Sequence, residues 1–267
     1  MRSGFTATLL YTYSKSIDDD SVLGGQGPVA TTATTGAGAG TGTGTGAGIG
    51  AATQSPPPAT PVIAQNWLDL SAERGLSTFD QRNLVNAQVQ YTTGVGLGGG
   101  ALLSGWRGKV LKRWTVLGQI TAGSGLPETP VYLAAVPGTG VTGSVRPSLT
   151  GASLYAAPAG LHLNPAAYKA PAPGGWGDAR RNSITGPAQF NFNASLARTF
   201  RLKDRYNLDI RVDSTNLLNH VVFTSWNTTL NPSSNPASNP ALNSPLFGLP
   251  AAANAMRSLQ TTMRLRF

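Results

Sequence analysis

The chain has 267 residues, 40% hydrophobic and 12% charged, with a formal net charge of +9, 33 glycines, 19 prolines and no cysteine. Glycine and proline are the two poorest helix formers and make up about a fifth of the chain, which excludes a helical domain of this size. The missing cysteines exclude thiol catalysis, cysteine zinc clusters and iron–sulfur sites, and the scattered basic residues, with no dense stretch beyond Arg198 to Arg205, argue against nucleic acid as a partner.

Alternation of apolar and polar residues with a period of two marks a strand whose two faces differ in surroundings. The first such segment sets Phe5, Ala7, Leu9, Tyr11 and Tyr13 against Thr6, Thr8, Thr12 and Ser14. It leads to Asp18-Asp19-Asp20-Ser21, which resembles the start of a calcium loop but lacks the glycine and distal glutamate, and reads as a solvated strand end. A low-complexity loop follows over about residues 22–66. Glycine stands at every second position from Gly36 to Gly50, then come Pro56-Pro57-Pro58, a tract with nothing to bury. The second segment sets Val85, Ala87, Val89 and Tyr91 against Asn86, Gln88, Gln90 and Thr92. Gly94-Val95-Gly96-Leu97-Gly98-Gly99 after it matches a dinucleotide-loop pattern, yet no acidic residue follows until Glu128, so it reads as a glycine-rich turn. The third sets Trp114, Val116, Ile120 and Ala122 against Thr115, Gln119 and Thr121. The fourth sets Phe190, Phe192, Ala194 and Leu196 against Gln189, Asn191, Asn193 and Ser195. In the fifth, Tyr206, Leu208, Ile210 and Val212 oppose Asn207, Asp209, Arg211 and Asp213. The last has Leu259, Met263, Leu265 and Phe267 opposite Gln260, Thr262, Arg264 and Arg266.

Each segment is about nine to twelve residues long, which suits a tilted membrane-spanning strand. The polar faces carry side chains that a water-filled lumen tolerates. Aromatics such as Tyr13, Tyr91, Trp114, Phe200 and Phe267 gather toward strand ends, as interface girdles do. The connections run about sixty, about twenty and about sixty residues, then the short Arg201-Leu202-Lys203-Asp204-Arg205, then about forty. Long external loops and short periplasmic turns alternate in this way in outer-membrane barrels. With the C-terminus in the periplasm, Lys203-Asp204 is a periplasmic turn and the long loops face outside. The Asn/Pro/Ser-rich stretch from Asn231 to Pro245 is expected to lack order. No run of about eighteen apolar residues offers a transmembrane helix. Met1 to Thr6 lacks the apolar core of an export signal, so an exported chain is expected to start upstream. His162 and His220 are the only histidines and there is no Gly-x-Ser-x-Gly elbow, so no enzyme, metal or cofactor is expected.

Five stretches carry a resemblance. Leu208 to His220, with Asn216-Leu217-Leu218-Asn219, looks like the late-barrel stretch of Oar-like TonB-dependent receptors of Gram-negative outer membranes. Gly177-Asp178-Ala179-Arg180-Arg181-Asn182-Ser183-Ile184-Thr185-Gly186-Pro187 resembles their loop before a descending strand. Trp114 to Pro127, ending Ser124-Gly125-Leu126-Pro127, is similar to a further segment of theirs, and Glu73-Arg74-Gly75 with Asp80-Gln81-Arg82, and Tyr13 to Asp19, fit as well. The resemblance runs in order along nearly the whole chain. Residues 1–267 then correspond to the C-terminal part of the receptor barrel, without the plug.

The resemblance implies a barrel of twenty-two strands filled by an N-terminal plug, powered by the inner-membrane TonB complex and importing a scarce small solute. The C-terminal Leu265 and Phe267 are similar to the signal read by the barrel assembly machinery. About six strands cannot close a membrane barrel, for which about eight is the observed minimum. The expectation is therefore an all-β fold: an open, curved antiparallel barrel segment in outer-membrane lipid, with long disordered loops, cut from a longer gene or a truncated reading frame. Asn191, Asn193, Asp209, Arg211, Asp213, Arg264 and Arg266 are the candidate lumen-facing residues. A passive outer-membrane pore and a secreted β-rich adhesin remain as alternatives.

Overall fold

The computed structural model describes residues 4–19, 64–66, 68–94, 105–140, 145–203, 206–232 and 244–267. Its long strands are β1 (Phe5–Tyr13), β2 (Asn83–Thr92), β3 (Trp114–Gly123), β4 (Gln189–Lys203), β5 (Tyr206–Thr215) and β6 (Ser258–Arg266). Each pairs antiparallel with the next in chain order, giving a single six-stranded up-and-down sheet.

The register keeps like faces together. Leu9 lies opposite Ala87, Ala87 opposite Ile120, and Ile120 opposite Phe192. Leu196 lies opposite Val212, and Ile210 opposite Met263. Because the side-chain period of a strand is two, one correct pair per ladder carries every other residue to its proper side. The apolar face that results is uncovered: Leu9 is 74% exposed, Met263 69%, and Val89, Val116 and Leu196 are exposed as well. Only β4 outruns the alternation seen in the sequence. It continues through Arg198, which sits on the apolar face opposite Trp114, to a register shift between Arg201 and Lys203. The guanidinium lies over two rings, 5.3 Å from the centroid of Trp114 and 4.4 Å from that of Phe200, so a charge on this face has a place to stack.

The three long connections, β1–β2, β3–β4 and β5–β6, leave the same end of the sheet, and for the β3–β4 connection and the described parts of β5–β6 the expectation of disordered loops is corrected. Tyr132, Val136, Val145, Leu163, Ala167, Tyr168, Ala179, Ile184, Leu230 and Phe247 form a buried core, and all of them belong to the β3–β4 and β5–β6 connections. Short pairings stitch the loops together: 17–18 with 75–76, 127–128 with 184–185, 148–149 with 168–169, and 223–226 with 250–253. Residues 131–132 run parallel to 229–230. The apolar residues of this cap fall at irregular intervals, so periodicity could not reveal them, and their joint burial favours the ordered cap against the cost of ordering the backbone. Most of the low-complexity tract (20–63), the turn residue Asp204, Gly96 to Gly99 and residues 233–243 lie outside the described residues.

At the opposite end, the β2–β3 connection carries one short helix, α1 (Gly105–Leu111).

Candidate functional site

The polar face is one continuous wall. Asn191 and Asn193 stand on β4, Asp209, Arg211 and Asp213 on β5, and Arg264 and Arg266 on β6, all on the same side of the sheet. Gln88 and Gln90 of β2 and Gln119 and Thr121 of β3 extend it. A recess of about 460 Å³ is lined by Gln88, Gln90, Thr115, Gln119, Ser195 and Arg211, side chains from four successive strands, so the sheet curves around this face. A second, of about 370 Å³, is lined by Leu84, Phe190 and Thr121 together with amides, among them Asn86, Gln119, Gln189, Asn191 and Asn193.

The structure thus separates the candidates into two groups. On β5 and β6, Asp209 accepts from Thr199 Oγ1 at 2.6 Å and from Arg266 Nη2 at 2.9 Å, while Arg211 Nε donates to Asp213 at 2.8 Å. Arg264 stands directly opposite Asp209 in the ladder. These pairs are partly exposed, so each contributes little to stability; they give the wall its alternating charge. On β4 the surroundings are uncharged amides. Asn193 Oδ1 accepts the N–H of Asn216 at 3.1 Å, holding a turn in which Asn216 has φ of 48°. Asn191 Oδ1 and Gln189 Oε1 are buried with no hydrogen-bond partner among the described residues, leaving two acceptors at the amide recess. Leu265 lies on the apolar face opposite Leu208, and Phe267 follows the end of β6, 94% exposed.

Above the wall, the cap is braced by charges that alternation did not mark. Arg146 donates to both oxygens of Glu73, at 2.6 and 2.9 Å, with both side chains buried. Gln65 joins them: its N–H donates to Glu73 at 3.1 Å and its amide to the Gly177 carbonyl at 2.9 Å. Arg181, wholly buried, donates to the Glu73 carbonyl at 2.7 Å and pairs with Asp18. Asn182 accepts from Thr129 Oγ1 at 2.8 Å and donates to the Leu76 carbonyl at 2.5 Å. Removing one partner from a buried ion pair typically costs about 3–5 kcal/mol, because the other charge is left without water or counter-charge.

Two glycines allow the close approach. A Cβ on Gly75 would lie 2.6 Å from the Arg181 carbonyl oxygen, and one on Gly125 only 1.8 Å from that of Gly186. Asp18, Glu73, Gly75, Gly125, Arg181, Asn182 and Gly186 all fall in the stretches that carry the receptor resemblance. Apart from Asp18, whose run reads as a solvated strand end in the sequence and which instead pairs with Arg181, their signal in the sequence was that resemblance alone; Gln65, Arg146 and Thr129 had none.

A second joint links the β3–β4 and β5–β6 connections. Glu128, half-buried, accepts the Trp226 N–H with its two oxygens at 3.1 and 3.2 Å. Burial pushes its pKa from 4.5 up to about 7, against the opposing pull of that N–H. The Trp226 ring stacks on His162 at 4.2 Å.

The arrangement offers a polar wall of donors and acceptors beneath a braced cap. Among the described residues no three His, Asp or Glu side chains gather as a metal site. No curated protein and no solved structure gives a match. A family model does match, over residues 1–260, and its description is an outer membrane beta barrel domain. An up-and-down sheet with an uncovered apolar face and a polar inner wall is what such a domain requires. The chain belongs to the outer membrane beta barrel domain family, and its place is the cell outer membrane.

Proposed function

We propose that the chain forms part of the barrel of an Oar-like TonB-dependent receptor that takes up a scarce polar solute. The observation that carries this reading is the convergence of the resembling stretches. Tyr13 to Asp19, Glu73-Arg74-Gly75, Ser124-Gly125-Leu126-Pro127 and Gly177 to Pro187 lie apart in sequence, yet each supplies a partner to the bonds or close backbone approaches of the cap. A resemblance spread by chance over unrelated loops would have no reason to meet in one place. In this reading the cap captures the solute outside, and the wall from Gln88 to Arg266 contacts the solute or the plug. The TonB complex acts through that plug. Leu265 and Phe267 address the barrel assembly machinery. The chain carries out no covalent chemistry.

The test pairs two measurements. Isolated outer membranes are blotted with an antibody to residues 189–219, and uptake of ferric chelates, cobalamin, oligosaccharides and peptides is compared with and without the TonB complex. The expected result is a detergent-extracted band several times heavier than 27.5 kDa, with uptake of one solute lost when the complex is removed. Uptake indifferent to the complex would sink the receptor reading and leave a passive pore. A 27.5 kDa band in the soluble fraction would sink the reading more completely.

A further inference from the structure

The end of the sheet opposite the cap carries a feature that neither solute capture nor barrel closure uses. Residues 105–113 read Gly-Trp-Arg-Gly-Lys-Val-Leu-Lys-Arg, with four basic residues and no acidic one. Within α1, Gly108 is buried, whereas Trp106 is 72% exposed, Val110 52% and Leu111 49%. Three large apolar side chains are therefore about half exposed or more on a strongly basic segment.

The C-terminal end of the segment is tied to the sheet by hydrogen bonds. Thr93 Oγ1 donates to the Leu111 carbonyl at 2.5 Å, and the Arg113 N–H donates to the Thr93 carbonyl at 2.9 Å. The Trp114 indole N–H donates to the Val110 carbonyl at 2.9 Å, and Arg198 donates to the same oxygen. The last carbonyls of the helix are thus satisfied by Thr93 just past β2, Trp114 at the start of β3 and Arg198 within β4. Trp106, Val110 and Leu111 are then exposed on a helix tied to the sheet at its C-terminal end. The same residues that hold it, Trp114 and Arg198 with Phe200, form the aromatic edge of the lipid-facing side; Trp114 and Phe200 meet edge to face at 6.3 Å. The Val110 carbonyl, which accepts from both Trp114 and Arg198, joins the helix to that edge.

A basic segment with Trp and aliphatic side chains on one short helix is the chemistry of an element that lies in the bilayer interface, rings among the acyl chains and cations at the headgroups. We infer that residues 105–113 are an interfacial anchor, seated on anionic phospholipid headgroups of the leaflet at this end of the sheet. Trp106, Val110 and Leu111 enter the leaflet, while Lys112 and Arg113 meet the phosphates. The anchor rests on the membrane placement of the sheet, so its test carries its own reference.

The chain has no cysteine, so single nitroxide labels are unambiguous. One is placed at Val110→Cys and another, as reference, at Ile120→Cys on the apolar face of β3. The protein, extracted in detergent, is reconstituted in bilayers of phosphatidylcholine alone or mixed with phosphatidylglycerol. Collision with oxygen and with a polar nickel complex is then read by electron paramagnetic resonance. The expected result is a lipid-like label at 120 in both bilayers, and a label at 110 that becomes lipid-like when phosphatidylglycerol is present. Replacing Lys112→Gln and Arg113→Gln together should remove that dependence. A label at 110 that stays in water while 120 is in lipid overturns the anchor and leaves the barrel standing. Insertion at 110 indifferent to the anionic lipid overturns the headgroup contact. A label at 120 in water overturns the membrane reading itself, and the anchor with it.

Discussion

Glu128 takes two bonds from one N–H of Trp226 and has its pKa pushed from 4.5 to about 7 by burial. A carboxyl whose pKa is higher in the folded than in the unfolded chain favours folding while it is protonated. Its contribution is therefore fully present below about pH 4.5 and lost as the pH rises through about 7. The joint between the β3–β4 and β5–β6 connections should be tightest in mild acid. Amide exchange at Ile184, Thr185 and Trp226 should show protection factors that fall from about pH 5 to pH 8, over the range of that shift, and Glu128→Gln should flatten the profile. An unchanged slope in the Gln variant would show that another group sets it. Glu73 and Arg181 raise a different point about single residues. Each is a charge in a loop, which by itself reads as solvated. Their burial depends on Arg146 and Asp18, partners 73 and 163 positions away, and no local pattern carries such a distance.

Strands behave otherwise, because the signal for a strand is local. Five of the six alternating segments coincide with strands of about the expected length, and β4 is the longer exception because Arg198 interrupts the pattern without ending the ladder. The register then decides which face meets lipid. Ile120 lies mid-strand between Ala87 and Phe192, and Gln119 beside it points to the recess wall. Ile120→Arg should lower the stability of the inserted protein by about 2–4 kcal/mol if its site is near the midplane, read by denaturant titration in liposomes. Gln119→Leu should leave insertion intact. Equal tolerance of both changes would mean that the two faces have been assigned the wrong way round. The long connections are where element-level reading failed: the β3–β4 loop has apolar residues at no fixed period, and it holds most of the core.

For the molecule as a whole, the distribution of apolar surface is inverted relative to a water-soluble domain. The dry core lies in the cap, and the sheet turns Leu9, Val89, Ile120, Leu196 and Met263 outward. In lipid that face costs nothing, but an unpaired strand edge does, because no water replaces the missing hydrogen bonds. β1 and β6 are each paired on one side only among the described residues. In the proposed receptor barrel both edges pair with further strands. Hydrogen exchange on the protein in its outer membrane should show the amides of Phe5–Tyr13 and Ser258–Arg266 as protected as those of β3. Rapid exchange along both edges would show a sheet that stays open in the bilayer.

The sequence by itself determined the number of long strands, their two faces, the up-and-down order implied by long and short connections, and hence an outer-membrane barrel domain. These follow from period-two alternation and loop length, which any stretch of chain displays without reference to the rest. Only the tertiary structure decided that the long loops pack into a cap, that Glu73, Arg146 and Arg181 are buried together in it with the half-buried Asp18 paired to Arg181, and that α1 carries exposed apolar side chains at the other end. Those outcomes depend on which distant segments meet, because burial converts a solvated charge into a brace only when its counter-charge arrives from elsewhere in the chain.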